Sequence, residues 1–297
     1  MLIRSIIKHS TRQPIRATFF KYLSTITTNL PYQHNELIRI NIPKLSNQVK
    51  FTIHSLWNEG CTLEYPQQSI AHIKHSYEHN ILSIELSDDF ESYDSTIKLF
   101  VPEHCNISLK GDNIILNTIK KIQGDIDIDI KEGTINIEKL RGERVKINLA
   151  EGDINVSKVL EGNIEINCEH FKAKMINGNN VLINAIEAEI DALYSQHAEI
   201  NTYGDANISL LTGQCKITSD CGNISLSGID GSVKAHAMQG NITAQINKIP
   251  RYDDDSGEFT AVADKGFVLV KIDPEVSSCI LFLLFVYHRV IVSVLMV

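Results

Sequence analysis

The 297-residue chain is 43% hydrophobic but only 7% aromatic and carries a formal charge of −8, enough apolar material for one elongated domain or two ordinary ones. The charge is unevenly held: residues 1–35 contain Arg4, Lys8, Arg12, Arg16 and Lys21 and no acid, and the remainder holds 23 basic against 36 acidic residues, a balance of −13. A body this acidic is a poor general partner for nucleic acid or anionic lipid, whose phosphates need Lys and Arg, and it favours basic partners.

Residues 1–33 read as a mitochondrial presequence, disordered or an amphipathic helix, against the plainer alternative of a basic tail. The segment is basic and hydroxyl-rich, and Leu2, Ile3, Ile6, Ile7, Ile15, Phe19, Phe20 and Leu23 are spaced to form one apolar face opposite a positive one. Arg12, Arg16 and Lys21 break the run that a secretory signal needs. Removal is expected between about residues 20 and 33, with the mitochondrial matrix as destination.

Residues 36–103 are β-rich without a fixed period. Leu37–Ile42, Val49–Ile53 and Ile81–Leu86 alternate apolar with polar, and Ile97–Val101 runs into Pro102, which ends ladder pairing. This region is expected to cap the open sheet edge of the repeats C-terminal to it. Within it, His72, His75 and His79 have spacings that would align them on one side of a helix, where a transition metal would bind. No neighbouring ligand except Cys61 completes that set, and a polar loop explains it as well.

From residue 104 to 272 a glycine keeps returning, most densely between Gly111 and Ile246. Gly124-Asp-Ile-Asp-Ile, Gly133-Thr-Ile-Asn-Ile, Gly152-Asp-Ile-Asn-Val and Gly162-Asn-Ile-Glu-Ile are followed by Gly204, Gly213, Gly222, Gly231 and Gly240, each nine residues after the last. Such spacing with period-two alternation predicts stacked β-structure. Glycine marks the corner, Asp or Asn bonds the following backbone, and Ile or Val two apart face one side. Asn136, Asn148, Asn155, Asn167, Asn184 and Asn201 then form an outward amide ladder along one face. Asn184 to Tyr203 lacks glycine and must turn another way.

Two folds fit: an antiparallel hairpin meander, and a right-handed parallel β-solenoid with two glycine units, about 18–20 residues, per coil. Nothing in the sequence ends a meander of a dozen strands, so the expected fold is an all-β solenoid (β-helix) with an N-terminal β-cap. At about 4.8 Å per layer, some seven coils make a rod near 33 Å.

Asp125, Asp127 and Asp129 share one strand face, and Asp153 is expected close by after stacking. Such aligned acids suit Ca²⁺ or glycan chemistry, although the double glycine of calcium-binding coils is absent; a solvated acidic face is the simpler reading. The six cysteines (61, 105, 168, 215, 221, 279) lack CxxC spacing and read as reduced thiols, with Cys215 and Cys221 in adjacent units. There is no P-loop, strand-borne GxGxxG, GxSxG or HExxH.

Asp253–Gly257 reads as an acidic loop and Gly266–Ile272 as the closing strand. Residues 273–297 then form an apolar tail. Ser277 to Val297 is just long enough to cross a bilayer, but Arg289 near its middle would cost about 2.5 kcal/mol or more. An interfacial segment, a tail packed on the open end of the stack, or an erroneous terminus are the alternatives.

The iterated G-[DN]-[IV]-x-[IV] units, with the lead-in Ile97–Pro102 and Ile107-Ser108-Leu109, resemble the “putative adhesin” domain family of bacteria over roughly residues 36–272. With a presequence ahead of it, the chain is similar to an uncharacterised eukaryotic, mitochondrial branch of that family. The resemblance implies right-handed β-helical repeats and contact rather than chemistry, and it brings no catalytic, cofactor or metal residues. The expected function is therefore a non-enzymatic binding or scaffold module with an unidentified protein partner, no nucleic acid and no cofactor. The alternative is a β-helical carbohydrate-active or metal-dependent enzyme using a carboxylate cluster.

Overall fold

The computed structural model describes residues 25–32, 36–45, 47–56, 60–87, 96–246, 258–273, 279–286 and 289–296. Among them the chain is all-β: one sheet, parallel in most of its pairings, with a single 3₁₀ turn at Gln67–His72 and no α-helix. Its strands are β1 (Thr25–Leu30), β2 (Leu37–Ile42), β3 (Val49–Leu56), β4 (Cys61–Pro66), β5 (Ile73–Glu78), β6 (Ile81–Leu86), β7 (Thr96–Pro102) and β8 (Asn106–Gln123). There follow β9 (Ile126–Thr202), β10 (Ala206–Ser219), β11 (Ile224–Ala237), β12 (Ile242–Ile246), β13 (Glu258–Ala263), β14 (Val268–Ile272), β15 (Cys279–Val286) and β16 (Arg289–Met296).

Alternation makes these strands one-sided. In β2, Ile38, Ile40 and Ile42 are buried while Arg39 and Asn41 face water. Pairing along the long strands is parallel and nearly periodic. Ile107 lies beside Ile126 and Leu116 beside Ile135; Ile190 beside Ile208, and Ile208 beside Leu226. Side-chain bonds inside β9 repeat at separations of 17 to 20 residues. This parallel order excludes the hairpin meander, whose neighbours would run antiparallel. Like residues stack on like, so one continuous core runs from Leu30 to Val294.

At the start of the sheet β2 sits between β6 and β8, and β3 between β7 and β8, all parallel. Antiparallel β5 then flanks β6, antiparallel β4 flanks β7, and β1 pairs antiparallel with β4 on its outer side. β1 lies within the segment read as disordered or helical. Thr25, Ile26, Thr27 and Thr28 supply β-branched residues, and Leu30 buries itself beside Cys61. Residues 1–24 lie outside the described residues.

At the far end the repeat lengthens: Val233 pairs with Phe259 and Ile242 with Val268. The acidic loop 253–255 lies outside the described residues. β14 is not the last strand. Residues of the apolar tail return as β16, antiparallel to β13, with β15 antiparallel outside it. Val292 and Val294 are buried against the last rungs, and Arg289 Nε lies 3.1 Å from Asp264 Oδ1. The arginine that is costly in a bilayer thus has a carboxylate partner in the turn after β13. No helix among the described residues is long and apolar enough to cross a membrane.

Candidate binding surface

The glycines form columns, one atop another. A Cβ at Gly142, Gly162 or Gly178 would fall 1.9–2.3 Å from the carbonyl oxygen of the glycine one layer below, and at Gly124 2.0 Å from Cys105 O. The layers therefore approach here as no residue with a side chain permits. A second column runs through Gly204, Gly222, Gly240 and Gly266, where an added Cβ would again lie within 2.3 Å of the glycine beneath at the last three. In the stretch without glycine, Ile186 and Ser195 take the two corners: Gly204 N–H donates to Ile186 O at 2.7 Å, and Gly213 pairs with Ser195.

The first column floors a surface groove of about 790 Å³. Residues preceding the glycines (Gln123, Arg141, Glu161, Asn177) line it on one side, and those following them (Asp125, Glu143, Asn163, Asn179) on the other. Arg141 Nε sits 3.4 Å from Glu161 Oε2, and Gln123 Nε2 donates to Glu103 Oε1 at 2.7 Å. The groove offers amides, carboxylates and bare glycine backbone at one-layer intervals. That suits an extended polar ligand lying along the stack.

At several corners the polar residue after the glycine works differently from the sequence reading. Asp125 Oδ1 accepts the backbone N–H of Arg144 at 3.0 Å, and Asn106 Oδ1 accepts that of Asp125 at 2.8 Å. Asp205, Asn223 and Asn241 likewise accept the backbone N–H groups of Asn223, Asn241 and Phe267. Each caps the next layer instead of its own turn. These amides would otherwise be unmet where the strand breaks at a corner.

The six amides expected in one ladder divide between two. Asn155 Nδ2 donates to Asn136 Oδ1 and Asn136 Nδ2 to Asn117 Oδ1. Separately, Asn201 donates to Asn184 and Asn184 to Asn167, while Asn148 donates to Asp129. The ladders tie layer to layer, leaving little hydrogen-bonding capacity for a ligand.

The carboxylates do not converge. Asp125 and Asp127 open onto a hollow that Arg39, Lys110 and Arg144 also line. Asp153 opens instead beside His170, Lys172 and Glu189. The three histidines are not on a helix either. His72 ends the 3₁₀ turn, His75 is in β5, and His79 is in the following turn at φ 51°; His72 Nδ1 is 3.1 Å from Ser87 Oγ. Among the described residues no group of three or more His, Cys, Asp or Glu is arranged to hold a metal ion.

Cys215 is buried between Ala198 and Val233, while Cys221 is exposed beside Tyr203, whose hydroxyl is held above its usual range chiefly by a hydrogen bond to that thiol. Burial pushes the thiols of Cys61, Cys105, Cys168 and Cys215 up to about 12. At pH 8 only about 10⁻⁴ of each is then thiolate. Iodoacetamide at pH 8 is expected to alkylate Cys221 well before these four, as peptide mass mapping would read; equal labelling of Cys215 would contradict the packing.

One charged cluster was beyond sequence reasoning. Asp264 Oδ1 lies 3.1 Å from Arg289 Nε and 3.2 Å from His236 Nε2, joining the turn after β13, β16 and β11. Twenty-five residues separate Asp264 from Arg289, and no local pattern signals the pair.

No family model matches the chain, and no curated protein does. Solved structures do. A “putative adhesin” from Bacteroides fragilis is 14% identical, covering 84% of this chain and 97% of its own, with a TM-score of 0.41. One from Parabacteroides distasonis is 14% identical over 83% of this chain and 97% of its own, TM-score 0.41. A “putative lipid binding protein” from the same species is 12% identical over 84% and 95%, TM-score 0.34. At these values no family membership follows.

Proposed function

We propose that the chain is a right-handed parallel β-solenoid of adhesin-like repeats serving as a non-enzymatic binding or scaffold module in mitochondria. In this reading residues 104–272 are the solenoid, residues 36–103 its cap, and the contact surface is the groove over Gly124, Gly142, Gly162 and Gly178. The observation that carries it is that groove: a side-chain-free floor between two polar walls, repeated layer upon layer. Its partner is a protein segment with basic or amide side chains, which the carboxylate- and amide-rich walls would receive. The presequence ends before Thr25, because cleavage further on would remove β1 and bare the edge of β4.

The test fuses a proximity-labelling enzyme to the C-terminus through a flexible linker, leaving the N-terminus free for import. The mature N-terminus is read by mass spectrometry in the same cells. Expected are a start at or before Thr25 and recurring matrix neighbours, lost when Asn177 and Asn179, one on each groove wall, are both changed to tryptophan. Neighbours unchanged by that double substitution would remove the groove as contact surface. An uncleaved chain among cytosolic proteins would sink the mitochondrial placement.

A further inference from the structure

The two ends of the sheet are built differently. Its outermost strands are β1 and β5 at one end and β14 and β15 at the other. β5 sets Lys74, His75, Ser76 and Glu78 towards solvent, and β1 exposes Thr25, Thr27 and Asn29. Charges and polar side chains of this kind keep a strand edge from pairing with another chain. β15 has none: its sequence is Cys-Ile-Leu-Phe-Leu-Leu-Phe-Val, eight residues without a charge, a proline or a glycine. Among the described residues no strand pairs with its outer edge.

We propose that β15 is the interface of a homodimer, pairing antiparallel with β15 of a second copy across a two-fold axis. Three observations select a second copy. β13, β16 and β15 already alternate in antiparallel order, so a two-fold partner continues the sheet without a change of pairing type. A strand pairing antiparallel with itself is self-complementary, as an isologous contact requires. The guarded edge at the other end disfavours head-to-tail stacking, so growth stops at two. The Asp264–Arg289 pair would hold β16, and through it β15, in place at the junction.

The test is light scattering after size exclusion on the full chain of 33.3 kDa, repeated for Leu283→Lys and Leu284→Lys. The two substitutions fall at successive positions of the strand, and thermal melting checks that both fold. A wild-type mass near twice that of the chain, falling to the single-chain mass in a variant that still melts cooperatively, is the expected result. Several outcomes overturn the proposal: a dimer that both folded variants retain, larger concentration-dependent assemblies, or a wild-type monomer. Flotation of that monomer with phosphatidylcholine vesicles would assign the apolar hairpin to a membrane surface instead.

Discussion

Gly162→Ala is expected to destabilise the protein by about 3–5 kcal/mol, close to the most that a single substitution does. Two costs add. The residue sits at φ 132°, where an L side chain is strained by roughly 1–3 kcal/mol. Its new Cβ would also lie 1.9 Å from Gly142 O, a backbone atom that moves only if two layers part. Parting them stretches the parallel ladder on either side. Gly60→Ala is the control, since nothing stands within 4 Å of an added Cβ there. Urea unfolding followed by circular dichroism makes the comparison. Equal midpoints for the two variants would mean that the stacked corner does not exist as described.

Phe171→Ala is expected to cost a similar amount, about 3–5 kcal/mol, by a different route. Phe171 is one of three phenylalanines among the largest fully buried side chains, 2% exposed in a core made mostly of Ile, Leu, Val and Ala. Lys172 in its strand bonds Glu189, which sets Phe171 beside Ala188 of the next layer. The small neighbour makes room for the ring, and truncation to alanine leaves a void in the stack. The same unfolding assay reads the loss. A shift below about 1 kcal/mol would mean that the layers collapse onto one another, contrary to close packing.

Much of the repeat was legible because one residue type answers two demands. Glycine is required at the corners both by dihedral angle and by the approach of the layer beneath, so its spacing displays the period directly. Two corners per repeat explain why the eye finds nine residues while the backbone pairs at 17 to 19. Partners one layer away were not legible. The Asp or Asn after glycine looks like a turn residue in its own tetrapeptide, yet its acceptor role is spent about eighteen residues further on. Asp153 was misplaced for the same reason: its surroundings, His170, Lys172 and Glu189, come from residues 17 to 36 positions further on.

The two ends were hardest to read. Thr25–Leu30 carries the hydroxyl-rich composition of a presequence and the β-branching of a strand at once, and only pairing with β4 decides between them. β15 and β16 lack the alternation that marks a half-buried strand, so their apolar run looks like a bilayer span. The groove floor was visible in the glycines. Its walls were not, because the residues flanking a corner gain a common orientation only when the layers stack.

The last rungs of β13 are sealed by a strand running the opposite way. In a parallel stack every layer offers the next a copy of its own edge, so the template has no internal instruction to stop. Reversing direction at β16 changes the hydrogen-bond spacing of that edge, and a further parallel layer no longer finds its match. Along β13 the stack is thus ended by a change of chain polarity, much as a mason ends a course by turning the final brick.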